Sequence, residues 1–185
     1  MVVSACGEAY VDDSDQPPGN GWSLDADLRI APEFRDSEPW DDGPFQLWAL
    51  ISVDLDPIES IACGEKLTSG QDYRANSARS SWTGASDVGR VSGGSATGLV
   101  NASTIRIYGA VVPREDEITP AGRRIVAGFV DLEVTSDACR FTGDDDQDRS
   151  PPMCIVSRFE CAVGSCLSLL IWDLEILLDR EFECE

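Results

Sequence analysis

From Trp22 onward the chain alternates: Trp22, Leu24, Ala26, Leu28 and Ile30 fall on one side of an extended backbone, and Ser23, Asp25, Asp27 and Arg29 on the other. A period of two over nine residues predicts a strand with one buried face. A second strand is expected over 45–55, where the run Phe-Gln-Leu-Trp-Ala-Leu-Ile-Ser-Val-Asp-Leu is apolar at most positions. Residues 104–112 and 124–134 are rich in β-branched side chains and flank a loop containing Pro113 and Pro120-Ala121-Gly122, which predicts two further strands. Residues 154–163 are another candidate.

The C-terminal stretch 167–184 reads two ways. Trp172, Leu174, Ile176, Leu178, Phe182 and Cys184 share strand parity against Asp173, Glu175, Asp179, Glu181 and Glu183, whereas Leu170, Leu174 and Leu177 fit a helical stripe. The period-two pattern covers more positions and predicts strand. Residues 64–103 are dominated by Ser, Gly, Ala and Asn, with Tyr73 and Trp82 as large side chains. A structureless loop of that length is unusual in a compact domain, so one or two short strands are expected there, for example over 73–82. Many strands, Gly/Pro turns and no long helical period predict an all-β fold, an antiparallel β-sandwich-like domain.

Charge narrows the partners. The chain holds 34 acidic and 14 basic residues, a net charge of -20. Such a surface repels phosphate backbones and argues against nucleic-acid binding. Lys66 is the single lysine among mostly arginine cations. This bias fits adaptation to high salt, where self-repulsion is screened, and fits a high-GC genome equally well. At 185 residues the chain is long enough for one domain with its own core. No stretch approaches the ~18 uninterrupted apolar residues of a transmembrane helix.

Seven cysteines are present: Cys6, Cys63, Cys139, Cys154, Cys161, Cys166 and Cys184. With no histidine and no C-x2-C knuckle, a zinc site is the weaker reading. Six cysteines in three disulfides leave Cys6 over, with connectivity open, and place the domain in an oxidising, extracytoplasmic compartment. Five of those six lie in the last third, so the disulfides are expected to concentrate there.

Val3-Ser4-Ala5-Cys6 resembles the lipobox of secreted bacterial and archaeal lipoproteins, with an aliphatic residue three before the cysteine and small residues next to it. The resemblance implies that the Cys6 thiol carries a diacylglyceryl group and that envelope lipid is its partner. The leader that such a box requires, with a basic and then an apolar region, is not contained in Met1-Val2. Residues 7–21 have the polar composition, with Pro17-Pro18, of a flexible tether. The expected division is therefore a cysteine and tether over 1–21 and a single disulfide-stabilised β domain over 22–185. The other reading of Cys6 is a free or intermolecularly paired thiol on a flexible tail.

The lack of histidine removes Ser-His-Asp and Cys-His catalysis. Gly93 to Gly98 is glycine-rich but has no P-loop lysine and reads as a turn. Asp144, Asp146 and Asp148 have the alternate spacing by which calcium loops gather oxygens. Arg149 and Ile155 stand where such a loop needs its glycine and its bidentate glutamate, so a solvated acidic loop is preferred and Ca2+ is the one cofactor candidate. Residues 66–106 carry five basic side chains (Lys66, Arg74, Arg79, Arg90, Arg106) against Asp72 and Asp87. These arginines either pair with the protein's own carboxylates or form a patch for an anionic glycan or acidic protein. In the second case Arg74, Arg79, Trp82 and Arg90 are the binding residues, with arginine forks and an indole face. The functional expectation is a non-catalytic, exported, lipid-tethered binding or structural module. The alternative is an extracellular hydrolase working through paired carboxylates.

Overall fold

A computed structural model describes residues 21–35, 44–63, 77–82, 88–95, 99–100, 103–113, 123–142, 150–162 and 164–184. The alternating segment is strand β1 (Trp22–Ile30), and its five apolar inward residues are all buried. The helical turn α1 (Pro32–Arg35), strand β2 (Phe45–Ser52) and short helix α2 (Ile58–Ala62) follow. The Ser/Gly-rich region supplies three strands, one more than expected: β3 (Ser77–Trp82), β4 (Val88–Ser95) and β5 (Leu99–Val100). The remainder is β6 (Thr104–Pro113), β7 (Arg123–Val134), β8 (Cys139–Phe141), β9 (Met153–Cys161), β10 (Gly164–Leu178) and β11 (Arg180–Cys184).

These strands form two sheets. In the first, β10 is flanked by β1, β5 and β9, with β4 outside β1. The second has the order β11-β7-β6-β2-β3, with β8 also paired to β7. Pairing is antiparallel throughout except between β1 and β10, which run parallel. A parallel pair needs a long crossover, and here the crossover takes in strands of both sheets, β2 to β9. The chain leaves the first sheet after Ile30 for β2 and β3, comes back to it for β4 and β5, makes β6, β7 and β8 in the second sheet, and re-enters the first at β9.

The inner faces pack into one core that includes Trp22, Leu28, Phe45, Leu47, Ile107, Leu132, Leu167 and Ile176. A second apolar cluster lies on the outer side of the second sheet. There α2 lays Ile58, Ile61 and Ala62 over Trp48, Leu50, Tyr108, Ala110, Ile125 and Ala127. This double burial explains why β2 reads as a near-continuous apolar run: Leu47, Ala49 and Ile51 face inward while Trp48 and Leu50 face α2. The segment leading into α2 is pinned by polar contacts. Arg106 binds Asp131 through two hydrogen bonds of 2.6 and 2.7 Å and donates to the Asp56 carbonyl at 3.1 Å. The Tyr108 hydroxyl donates to the same carbonyl at 2.7 Å.

The sheets are joined at their margins. β3 of one sheet packs on β4 of the other. The C-terminal segment, strand on both sides of Asp179, crosses from β10 in the first sheet to β11 in the second. At this crossing a Cβ on Gly128 would lie 1.9 Å from the Leu177 carbonyl oxygen, so β7 can hold only glycine there. All six domain cysteines are paired. Cys139–Cys154 links β8 of the second sheet to β9 of the first, Cys161–Cys166 closes the β9–β10 hairpin, and Cys63–Cys184 ties the end of α2 to β11. Two of the three bonds thus lie wholly within the C-terminal third.

Candidate functional site

The outer face of the first sheet carries the feature of most chemical interest, and an irregularity in β10 creates it. Leu24 is opposite Ile171 and Ala26 is opposite Leu174, so Asp25 alone faces both Trp172 and Asp173. Asp173 has φ 56°, a left-handed conformation uncommon outside glycine that Asp tolerates better than most residues. The extra residue reverses the parity of β10. Leu167, Leu169 and Ile171 are buried before it, and Leu174, Ile176 and Leu178 after it. The expectation that Trp172 shares a face with Leu174 is corrected accordingly: Trp172 is half-buried on the outer face. Bulges re-aim side chains in this way and are frequent beside functional sites.

Around Trp172 the sheet register assembles a groove of about 540 Å³, open to solvent, lined by Ser23, Asp25, Ser92, Ile155, Leu170 and Trp172. Its floor is apolar and its wall is polar. Residue pairing accounts for both. Met153 lies opposite Trp172, and Ile155 opposite Leu170, giving a stripe in which Met153 and Ile155 are 54% and 39% exposed. Across β1, Ser23 pairs with Leu170 and Asp25 with Ser92, which brings hydroxyls and a carboxylate beside the stripe.

The electrostatics of this face are set by Arg90 and its neighbours. Arg90 Nε donates to Asp25 Oδ1 at 2.7 Å, and its Nη2 donates to Asp25 Oδ2. The hydrogen bond and charge of Asp25, with smaller contributions from Asp27 and Asp173, hold the Arg90 guanidinium above its ordinary pKa. One cation therefore sits among three carboxylates. Next to them Arg29 and Glu175 form a 2.9 Å pair that is neutral as a unit. The face is anionic on balance.

Of the residues proposed for an anionic ligand, Arg90 is bound to Asp25 as described. Trp82 is half-buried and packs on Phe45 with ring centroids 5.4 Å apart. Arg79 lies on β3 with its backbone opposite Trp48. Cys6, Arg74, Asp144, Asp146 and Asp148 lie outside the described residues. Arg106, counted in the same positive segment, is committed to Asp131 and stacks on Phe129 at 4.0 Å from the ring centroid. Among the described residues, no group of three or more Cys, Asp or Glu side chains is arranged to hold a metal ion.

Trp172, Asp25 and Ile155 were not singled out from the sequence. The one signal for them was the Trp-Asp pair in the middle of an apolar strand, where an aspartate interrupts what is otherwise core. Comparisons of the chain with family models, with curated proteins and with solved structures find no match.

Proposed function

We propose that this is a non-catalytic binding module of the cell surface, exported and held to the envelope through Cys6. The observation that carries the reading is the placement of the disulfides. Cys139–Cys154 joins strands of two different sheets and Cys63–Cys184 joins a helix end to the last strand. These are points where no ladder of backbone hydrogen bonds holds the elements together. A domain fastened in this manner suits an oxidising compartment, since cytosolic thiols are kept reduced.

The domain boundary supports a tether. The Gly21 carbonyl accepts hydrogen bonds from Leu169 N at 3.1 Å and from Ser168 Oγ at 2.9 Å. Gly21, the residue that precedes β1, is thus held to β10. Recognition is assigned to the groove at Trp172, where an aromatic ring, two hydroxyls and a carboxylate converge on a rigid sheet.

Fractionation of the native cells with and without globomycin, an inhibitor of lipoprotein processing, tests the reading. The protein is expected in the envelope fraction, with slower gel migration of an unprocessed form under the inhibitor. Recovery from the soluble cytoplasm with an unmodified Cys6 would end the proposal.

A further inference from the structure

The groove beside Trp172 has a chemical bias that identifies its occupant. Asp25, Asp27 and Asp173 act on Arg90, Asp25 is held by it, and the chain as a whole carries a net charge of -20. Anionic ligands are repelled from such a face, and cations are drawn to it. The same charge disfavours a second copy of the chain, which would bring two strongly negative surfaces together.

The apolar part of the groove selects among cations. Ile155 and Leu170 form a surface suited to a methylene stem, and the Trp172 ring offers the negative face that attracts ammonium or guanidinium groups. A small free cation would gain little from this stripe. A site that encloses a small molecule also buries most of that ligand's surface, whereas this groove is open and crosses several strands. Its shape suits an extended chain that lays successive side chains across the sheet.

We propose that the groove binds a basic, extended segment of a partner polypeptide, with a lysine or arginine stem over Leu170 and Ile155 and its cation between the Trp172 ring and the field of Asp173, the Asp25 carboxylate being paired with Arg90. This rests on the reading of the protein as a binding module and gives that module its ligand class. Arg90 has a positioning role: it fixes the Asp25 carboxylate at the groove wall and leaves the surrounding charge negative.

The test is fluorescence anisotropy with a dye-labelled peptide of alternating lysine and valine, run at low and high salt, beside calorimetry with the neutral sugar cellohexaose. The expected result is peptide binding that weakens with salt, because a cation and a carboxylate are screened from each other. Trp172→Ala and Asp173→Asn should each weaken it about tenfold. Asp173→Asn keeps a residue that tolerates the left-handed backbone, so its effect reads charge rather than folding. Glu183→Gln, the same charge change on exposed β11 of the other sheet, should leave affinity within about twofold. Equal loss in Glu183→Gln and Asp173→Asn would mean that net charge alone attracts the peptide, and would overturn the proposal. Binding of cellohexaose lost in Trp172→Ala, without peptide binding, would overturn the ligand class while leaving the groove as a recognition site. Binding of neither probe would remove both. Sedimentation as a dimer that Trp172→Ala dissolves would assign the groove to a second copy and overturn the proposal as well.

Discussion

Single side chains decide how the second sheet receives its helix. Arg106 binds the Asp131 carboxylate, reaches the Asp56 carbonyl and covers the Phe129 ring, while Tyr108 binds that carbonyl from the adjacent position. Burial is the main cause that raises the Tyr108 phenol above its ordinary pKa of 10.0, and the neighbouring Arg106 opposes it. The direction fixes a pH dependence. Below about pH 10 the phenol is protonated in folded and unfolded chains alike, and its contribution is whole. Above that, the unfolded chain loses its proton first, so stability falls as pH rises toward the folded-state pKa. Urea unfolding at neutral pH and above pH 10 should therefore show a steeper alkaline loss for the parent than for Tyr108→Phe. At neutral pH the variant should be weaker by about 1 kcal/mol, the value of one hydrogen bond. Parallel pH profiles for the two proteins would exclude Tyr108 as the titrating group.

At the level of elements, each disulfide fastens a different kind of junction, and loop length orders their worth. Chain entropy alone assigns about 5 kcal/mol to Cys63–Cys184, about 3 to Cys139–Cys154 and about 2 to Cys161–Cys166, given sequence separations of 121, 15 and 5. Paired Cys→Ser variants should follow that order in urea midpoint. A hairpin variant at Cys161 and Cys166 that cost the most would contradict it. The elements differ in how far their sequence disclosed them. β1 was readable because one face is buried and the other wet, so its alternation is undisturbed. β4 was obscured because its inward positions include Gly89, where a Cβ would meet Leu47 Cδ1 at 2.7 Å. Closeness to the neighbouring side chains replaces hydrophobicity there, and no propensity scale reports it. β10 was recognised as strand, yet its outer face was misread. A residue inserted at Asp173 leaves no trace in composition while reversing every side chain that follows. The parallel pairing hid the candidate site in the same way, since it unites the first strand with the tenth and so brings Asp25 beside Trp172.

For the whole molecule, the fastening lies away from the face to which recognition is proposed. The inner core and the α2 cluster are closed by apolar packing and by Cys63–Cys184. The sheet margin is closed by Cys139–Cys154 and by Arg158, whose Nη2 donates to the Val134 carbonyl at 3.1 Å. Among the described residues nothing covers the outer face of the first sheet, with its exposed Met153 and Ile155 and its anionic border. Strong negative charge works against pairing of such a face with a copy of itself and is the ground for the basic partner proposed for it. The central claim is that this sandwich is an envelope-anchored protein of an oxidising compartment. The most direct measurement is mass-spectrometric peptide mapping of the protein taken from its native cells and alkylated without reduction. The account predicts linked peptides for Cys63–Cys184, Cys139–Cys154 and Cys161–Cys166, together with a diacylglyceryl-modified Cys6. Alkylated, unlinked thiols at the six domain cysteines and an unmodified Cys6 would contradict it.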